Sequence, residues 1–478
     1  MATQQNQFDV LVLGAGVGGY PAAIRAAQLG AKVAIVEKEY VGGTCLNVGC
    51  IPSKALIHVA DTLRGFEHYD EFGIGVGKPT FDMGKAVEFK NKVVKQLTGG
   101  VGQLLKANGA TVFDGVGTPL SPNKVRIEGK NGTQEVTCSK LILANGSVIS
   151  KPPFPGMDGK NVIFSDDALS LKKAPASMIC IGGGIIGVEL ACAFAAFGTK
   201  VTVIEMLPSI IANEDPEAAD FLARSMKKQG IDIFVNSPVQ RIEGDGTKVV
   251  AKTPDGEKTF TAEKVLVVVG RGPNNTGLDE LKRQGLKVER GRVEVNERME
   301  TNLPGVYAIG DLVGRTMLAH VASTEGEIAA EQAMGYKDAS GHTPTMDYSA
   351  FPRPIYTHPE IASVGLTEAA AKERDPKARA EKFPFRANGK ALSMAEADGF
   401  VKVILGQYGE VLGAVIVGTD ATNLITEYTL SMTAELTSDE IVATIHPHPT
   451  LSEALREAVL AAEGRPIHIA LRQPALRR

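Results

Sequence analysis

No stretch of the chain is apolar for anything near the roughly 20 residues that a bilayer span requires. The best candidate, Cys180 to Phe197, is interrupted by Glu189 and several glycines, so no membrane-spanning role is expected. Net positive charge is also lacking: 51 Lys and Arg stand against 55 Asp and Glu, a formal charge of -4. That balance offers no overall basic surface to a phosphate backbone or an anionic membrane, which argues against nucleic-acid and membrane-surface binding. The N-terminus, MATQQNQFDV, has neither a basic leader segment nor an Arg-rich amphipathic stretch, and the expected location is cytoplasmic. Cysteine is scarce, with five residues at 45, 50, 138, 180 and 192. They form no Cys-x-x-Cys zinc pair and no even framework of a secreted protein, so no metal site is expected. Only Cys45 and Cys50 lie close in sequence.

What is present is length. At one unit per roughly 150 residues, 478 residues make about three globular units, each able to bury its own core without staples. The start reads as a βαβ unit: apolar strand Phe8 to Leu13, a glycine turn, an Ala-rich helix Tyr20 to Leu29, and strand Lys32 to Val36 ending in Glu37. The plan recurs with strand Met178 to Ile181, GGGIIG, helix Val188 to Phe197, and strand Lys200 to Ile204 ending in Glu205. In both copies the acidic residue lies 18 positions past the last motif glycine, Gly19 to Glu37 and Gly187 to Glu205. Between the copies, residues 85–107 have a helical pattern and 110–144 read as short strands ending in LILANGS. Prolines and Gly156 after Lys151 read as a linker. After Asn274 the pattern becomes strands and turns, and from about residue 350 strands alternate with helices.

Each glycine motif sits where a dinucleotide fold needs it. Gly14, Gly16 and Gly19 lie between a strand and a helix. The first permits a tight turn, the second lets the backbone approach a pyrophosphate, and the third allows close helix packing. The pyrophosphate would meet the positive helix N-terminus, and Glu37 would accept from an adenosine ribose. Gly182, Gly184, Gly187 and Glu205 repeat the argument for a second dinucleotide. Met-Leu-Pro follows Glu205 with no arginine for a 2′-phosphate, which favours NAD over NADP.

The string GGTCLNVGCIPSK resembles the redox-disulfide motif of the pyridine nucleotide disulfide oxidoreductase family, with Cys45 and Cys50 as the pair. The alternative, a structural staple, would add only about 2 kcal/mol across so short a loop and would rarely persist in a reducing cytoplasm. Pro52 reads as a helix start, which would hold Cys50 at the positive end of a dipole and favour a thiolate. By the resemblance, Cys50 would face a flavin and Cys45 would exchange with substrate. Lys54 would pair with Glu189 beside the flavin's reactive nitrogen. YAIGD resembles the second FAD motif, with Asp311 on the ribityl chain, and Met317, Leu318, Ala319 and His320 resemble the flavin-ring contact that follows it. Gly146 in LILANGS and Gly270 in GRGPN join the cofactor-binding set, although the family usually has threonine in place of Asn145.

HPHPTLSE resembles the family's catalytic acid and base, with His448 moving the proton and Glu453 fixing the imidazole. Thr450-Leu-Ser-Glu453 also reads as a capping box, and one carboxylate could serve both needs. His446 is expected to be structural. The resemblance implies an α/β fold: two Rossmann-like dinucleotide-binding domains and a C-terminal α+β dimerisation domain. The expected units are residues 1–150 for FAD, 151–280 for NAD, 281–350 completing the FAD unit, and 351–478 for dimerisation. GGYPAAIRAAQLG and MLAHVASTEG are similar to the branch that oxidises dihydrolipoyl groups. A glutathione reductase would show arginines after Glu205, and a mercuric reductase a C-terminal cysteine pair, whereas the last cysteine is Cys192. A homodimer with active sites shared between subunits is expected. With no lipoyl domain ahead of residue 1, the dihydrolipoyl group is expected on an acyltransferase or H-protein. Two other classes share the nucleotide folds: a flavoprotein oxidase or transhydrogenase, which has no use for Cys45, Cys50 and His448 together, and a non-enzymatic flavin-binding protein.

Overall fold

β1 (Gln7–Leu13) and β2 (Val33–Glu37) are apolar runs whose central residues are fully buried, as parallel strands covered by helices must be. α1 (Gly19–Gln28) lays Ala22, Ala23 and Ala26 against them. The chain then forms α2 (Gly43–Asn47), α3 (Cys50–Gly65), α4 (Met83–Ala107), β3 (Thr111–Asp114), β4 (Val116–Ser121), β5 (Lys124–Gly129) and β6 (Gly132–Leu143). The computed structural model describes residues 6–77, 79–130 and 132–470. Residues 1–5, part of the stretch scanned for a leader, lie outside them. The first sheet has the order β3-β2-β1-β6-β5-β4. β6 pairs twice along one edge, with β5 through Gly132–Thr137 and, in parallel, with β14 (Val306–Ala308) through Leu141–Leu143. A segment some 160 residues later is thereby built into the first sheet.

A short antiparallel pair, β7 (Ser147–Ile149) and β13 (Arg271–Pro273), bridges out of this sheet and back. Between them lies a second parallel sheet: β8 (Val162–Ile163), β9 (Ser177–Ile181), β10 (Lys200–Ile204), β11 (Asp232–Phe234) and β12 (Lys264–Val267) in the order β11-β10-β9-β12-β8. It carries α5 (Ile185–Ala196) and α6 (Pro216–Lys228), the latter capped by Asp215, which accepts from Glu217 N–H at 2.9 Å. A three-stranded antiparallel sheet over residues 239–261 packs beside it.

Two expectations need correction. The proline-glycine stretch after Lys151 is no free linker: Pro155 accepts from Ile242 N–H at 2.8 Å, and Phe154 and Met157 pack into the second unit. The segment after Asn274 is not all strand and turn, because Ala319–Met334 forms a 16-residue helix, α7. Its small residues explain it: a β-carbon on Gly326 would meet Gly18 O at 2.2 Å, so the two glycine-bearing helices pack backbone to backbone. Glycine and alanine on the contact face hid the usual apolar stripe.

The last unit is an antiparallel sheet of β15 (Arg353–Ile355), β16 (Ile361–Gly365), β17 (Arg379–Pro384), β18 (Phe400–Leu405) and β19 (Val411–Val417), ordered β15-β16-β19-β18-β17. α8 (Ala421–Thr433) and α9 (Glu453–Ala462) cover it. One buried cluster joins all three units, with Leu56 and Ala60 of α3, Val188 and Ala191 of α5, and Ile355, Ile361 and Val417 of the third sheet. No described helix is long and apolar enough to cross a membrane.

Candidate active site

The two glycine loops solve the same geometric problem twice. Gly14 and Gly182 turn with φ of +103° and +112°, where a side chain would strain and a β-carbon would strike Ala144 O or Val268 O. At Gly19 and Gly187 a β-carbon would lie about 2 Å from the carbonyl of the first glycine, 1.9 and 2.0 Å respectively, so only glycine lets the helix pack on the turn. Beside the middle glycines the space is open: the nearest atom to a β-carbon is 3.9 Å away at Gly16, and none lies within 4 Å at Gly184. That opening, at a helix N-terminus with free amides, fits a pyrophosphate. At each strand end the carboxylate ties the loop down. Glu37 Oε2 accepts Ala15 N–H at 2.7 Å, and Glu205 Oε2 accepts Gly183 N–H at 2.6 Å. Oε1 of the same two residues accepts from Glu39 and Leu207 N–H. The residual lone pairs of both carboxylates suit ribose hydroxyls.

Cys45 lies in α2 and Cys50 is the first residue of the 16-residue α3. Both are thiols, and the Cys45 S–H donates to the Cys50 sulfur. That hydrogen bond lowers the Cys50 pKa; burial opposes the shift, Lys54 reinforces it and Glu189 weakens it. Cys45 is pushed the other way, by the same bond and by burial. The pair is therefore chemically unequal, with Cys50 the sulfur that gives up its proton more readily.

One turn on, Lys54 Nζ meets Glu189 Oε2 at 2.8 Å. Glu189, 4% exposed, sits in α5, a helix otherwise apolar and buried from Gly187 to Phe194. Its second oxygen accepts Tyr356 N–H at 2.9 Å, and Lys54 Nζ lies 4.5 Å from the Tyr356 ring centre. The three units thus meet at one charged pair.

Asp311 follows β14 in a short turn and accepts from the Ser147 hydroxyl, which also receives Arg271 Nε–H at 2.8 Å. Arg271 also reaches the Ser147 carbonyl at 3.1 Å. Gly146 and Gly270 are the residues just before β7 and β13, both with positive φ and open space beside them. Met317 has φ +52°, Leu318 is the N-cap of α7, and Ala319 and His320 open that helix. The His320 ring contacts Pro352 O at 2.9 Å, and burial lowers its pKa. Sequence reasoning missed Ser147, Arg271 and Tyr356, as well as Glu325. Glu325 is 2% exposed and accepts Gly310 N–H at 2.6 Å together with the Tyr348 hydroxyl. A lone acid on the small-residue face of a helix was the available signal for Glu325; Ser147 and Arg271 stood beside the glycines taken from LILANGS and GRGPN, and Tyr356 carried none.

In the third unit His448 Nδ1 lies 2.9 Å from Glu453 Oε1, while Glu453 Oε2 accepts Thr450 N–H at 2.9 Å. Burial raises the Glu453 pKa, but the Thr450 N–H and the imidazole outweigh it, and the net shift is downward. Half of the expected capping box forms: the Glu453 carboxylate accepts the Thr450 N–H and also meets the imidazole, serving both needs, but the Thr450 hydroxyl does not return the bond. The N-cap is Ser452 and Glu453 is the first helical residue, because the Thr450 hydroxyl is taken by Pro447 O and Ser452. His446 is held between Glu427 and Thr444 with a side chain 5% exposed, whereas the His448 side chain is 79% exposed. The structure thus brings together Cys45, Cys50, Lys54 and Glu189, and separately His448 and Glu453. The groups that most affect the two sulfurs include no histidine.

Residues 8–326 match the family described as pyridine nucleotide-disulphide oxidoreductase, and residues 351–459 match its dimerisation domain. The dihydrolipoyl dehydrogenase of Bacillus subtilis is 43% identical over 97% of this chain and 98% of its own length. That of Geobacillus stearothermophilus is 42% identical over the same shares. Among solved structures, LpdA from Mycobacterium tuberculosis superposes with a TM-score of 0.87 at 26% identity, covering 94% of this chain and 99% of its own. The HOCl-induced flavoprotein disulfide reductase RclA from Escherichia coli gives 0.83 at 27%, with the same coverage. With its two nucleotide loops, its unequal cysteine pair and these matches, the chain belongs to the pyridine nucleotide-disulphide oxidoreductase family, whose cofactors are FAD and NAD(H).

Proposed function

We propose that the chain is a dihydrolipoyl dehydrogenase: it oxidises a dihydrolipoyl group carried by another protein, an acyltransferase or an H-protein, and reduces NAD⁺. The observation that carries this reading is the pair of unequal sulfurs beside Lys54 and Glu189. One substrate thiolate attacks Cys45 of the oxidised pair, the Cys45–Cys50 bond breaks, and Cys50 leaves as a thiolate. The second substrate thiol, losing its proton to a base, displaces Cys45, so a dithiol and a disulfide exchange states. Bound FAD would accept the two electrons from the cysteine pair and deliver them with a proton to NAD⁺. Gly14, Gly16, Gly19, Glu37, Asp311 and the Met317–His320 segment would hold the flavin nucleotide. Gly182, Gly184, Gly187 and Glu205 would hold NAD⁺. Met206, Leu207 and Pro208 after Glu205 offer no cation to a 2′-phosphate.

The base we assign is His448 of the partner subunit, within a homodimer. In one chain that imidazole is oriented by Glu453 and is otherwise exposed, while the two cysteines are half-buried in the first unit. Ile445, 93% exposed, and Leu430, 63% exposed, belong to the same unit, and burying such side chains against a second copy would contribute about 1.5–3 kcal/mol each. We place the reaction in the cytoplasm, where the absence of an even disulfide framework is the rule.

Anaerobic addition of dihydrolipoamide to the FAD-loaded protein should produce long-wavelength absorption from a thiolate against flavin, followed by NADH on addition of NAD⁺ and far less NADPH on addition of NADP⁺. Flavin reduction without NADH formation would favour an oxidase, and no reduction at all a binding protein.

A further inference from the structure

The segment Glu205–Glu217 runs from the second nucleotide loop to the third unit, and it is fastened at both ends. At the loop end Glu205 accepts Gly183 N–H, and Ile211 N–H donates to Gly183 O at 2.8 Å. Ile211 does so at φ +40°, a left-handed conformation that a β-branched residue adopts only when its surroundings over-determine it. It is 4% exposed. Three residues on, Glu214 N–H donates to Ile211 O at 2.9 Å, and the buried Glu214 carboxylate receives Arg353 Nε–H at 3.3 Å and the Ser363 hydroxyl. Asp215 and Glu217 then meet Lys402 of β18 at 2.9 and 2.7 Å, with Glu368 at 3.4 Å. Lys402 is 3% exposed. Every cation on this segment comes from the unit that matches the dimerisation domain.

A buried lysine among three carboxylates is costly to desolvate, so it contributes little net stability. Its effect is on geometry. We infer that Lys402 and Arg353 are positioning residues for the nicotinamide nucleotide: through Glu214, Asp215 and the strained Ile211 they hold the Gly183 loop and Glu205 in the conformation that receives it. The third unit then sets nucleotide affinity at a loop it does not touch. This rests on the second loop being the NAD⁺ site.

The test uses the FAD-loaded full chain. Lys402→Met should raise KM and Kd for NAD⁺ by about 3- to 30-fold, the range of couplings carried through a packed network. FAD content and the rate at which dihydrolipoamide reduces the enzyme should stay within about twofold, and Lys402→Arg should restore NAD⁺ affinity. Arg353→Met, which frees the Glu214 end of the segment without touching the buried lysine, should show the same selective loss and serves if Lys402→Met does not fold. Unchanged NAD⁺ affinity in either folded variant, or equal losses in both half-reactions, would overturn the inference. A wild-type chain that takes electrons from the dithiol but neither binds nor reduces NAD⁺ would overturn the functional reading, and this inference with it.

Discussion

Lys54, on the helix that begins at Cys50, places Nζ 2.8 Å from Oε2 of Glu189, a residue 135 positions later on the helix that opens the second nucleotide loop. The two charges act on the Cys50 sulfur in opposite senses, Lys54 lowering its pKa and Glu189 raising it. Lys54→Met should leave Glu189 buried with only the Tyr356 N–H, lowering stability by about 1–2 kcal/mol. It should also raise the Cys50 pKa, read by titrating ultraviolet thiolate absorbance in the reduced protein. An unchanged titration would mean that Lys54 is only a strut.

The lowered Cys50 pKa has a definite pH signature. Thiolate exists above the pKa and is lost as pH falls through it. An ordinary thiol would lose it already near about pH 8.5, whereas Cys50 should keep its long-wavelength band to lower pH. Cys45→Ala removes the S–H donor whose bond is the first cause of the lowering, so its band should persist but disappear at higher pH than in wild type, with dihydrolipoamide turnover lost. Cys50→Ser should show no band at any pH. Retention of the band in both variants would overturn the roles assigned to the sulfurs, and its loss in the Cys45 variant alone would reverse them.

His448→Gln should slow dithiol oxidation by about 10²- to 10⁴-fold while FAD stays bound, the usual contribution of a positioned acid-base group. Glu453→Gln should cost less, since its carboxylate orients the ring without transferring the proton, though it also releases the Thr450 N–H. Stopped-flow reduction by dihydrolipoamide separates the two. A larger loss at Glu453 than at His448 would exchange their roles.

Subunit sharing has a mixing test. Cys45→Ser chains should be inactive as homodimers, and His448→Gln chains nearly so. If each site uses a histidine and a cystine from different chains, a heterodimer has one doubly defective site and one intact site, so up to half of normal activity returns per heterodimer. No recovery after demonstrated subunit exchange would place both groups on one chain.

The sequence by itself determined the local chemistry. Glycine is required at Gly14, Gly16 and Gly19 and at their repeats by turn, approach and packing within a few residues, so the spacing alone located both loops and their strand-end acids. Cys45 with Cys50, and His448 with Glu453, are also close in the sequence, but their roles were legible only through the resemblance of GGTCLNVGCIPSK and HPHPTLSE to the family's motifs. Tertiary structure decided what long-range contact alone can set. It brought Lys54 to Glu189, carried β14 back to β6, and fixed Ser147 with Arg271 on Asp311, pairs separated by well over a hundred residues with no periodic trace. It also left the expected capping box half made, with Glu453 accepting the Thr450 N–H while the Thr450 hydroxyl found closer partners in Pro447 and Ser452. Helix α7 shows the same limit: its face is written in glycine and alanine, whose meaning depends on the helix they pack against, and a sequence records only one side of that contact.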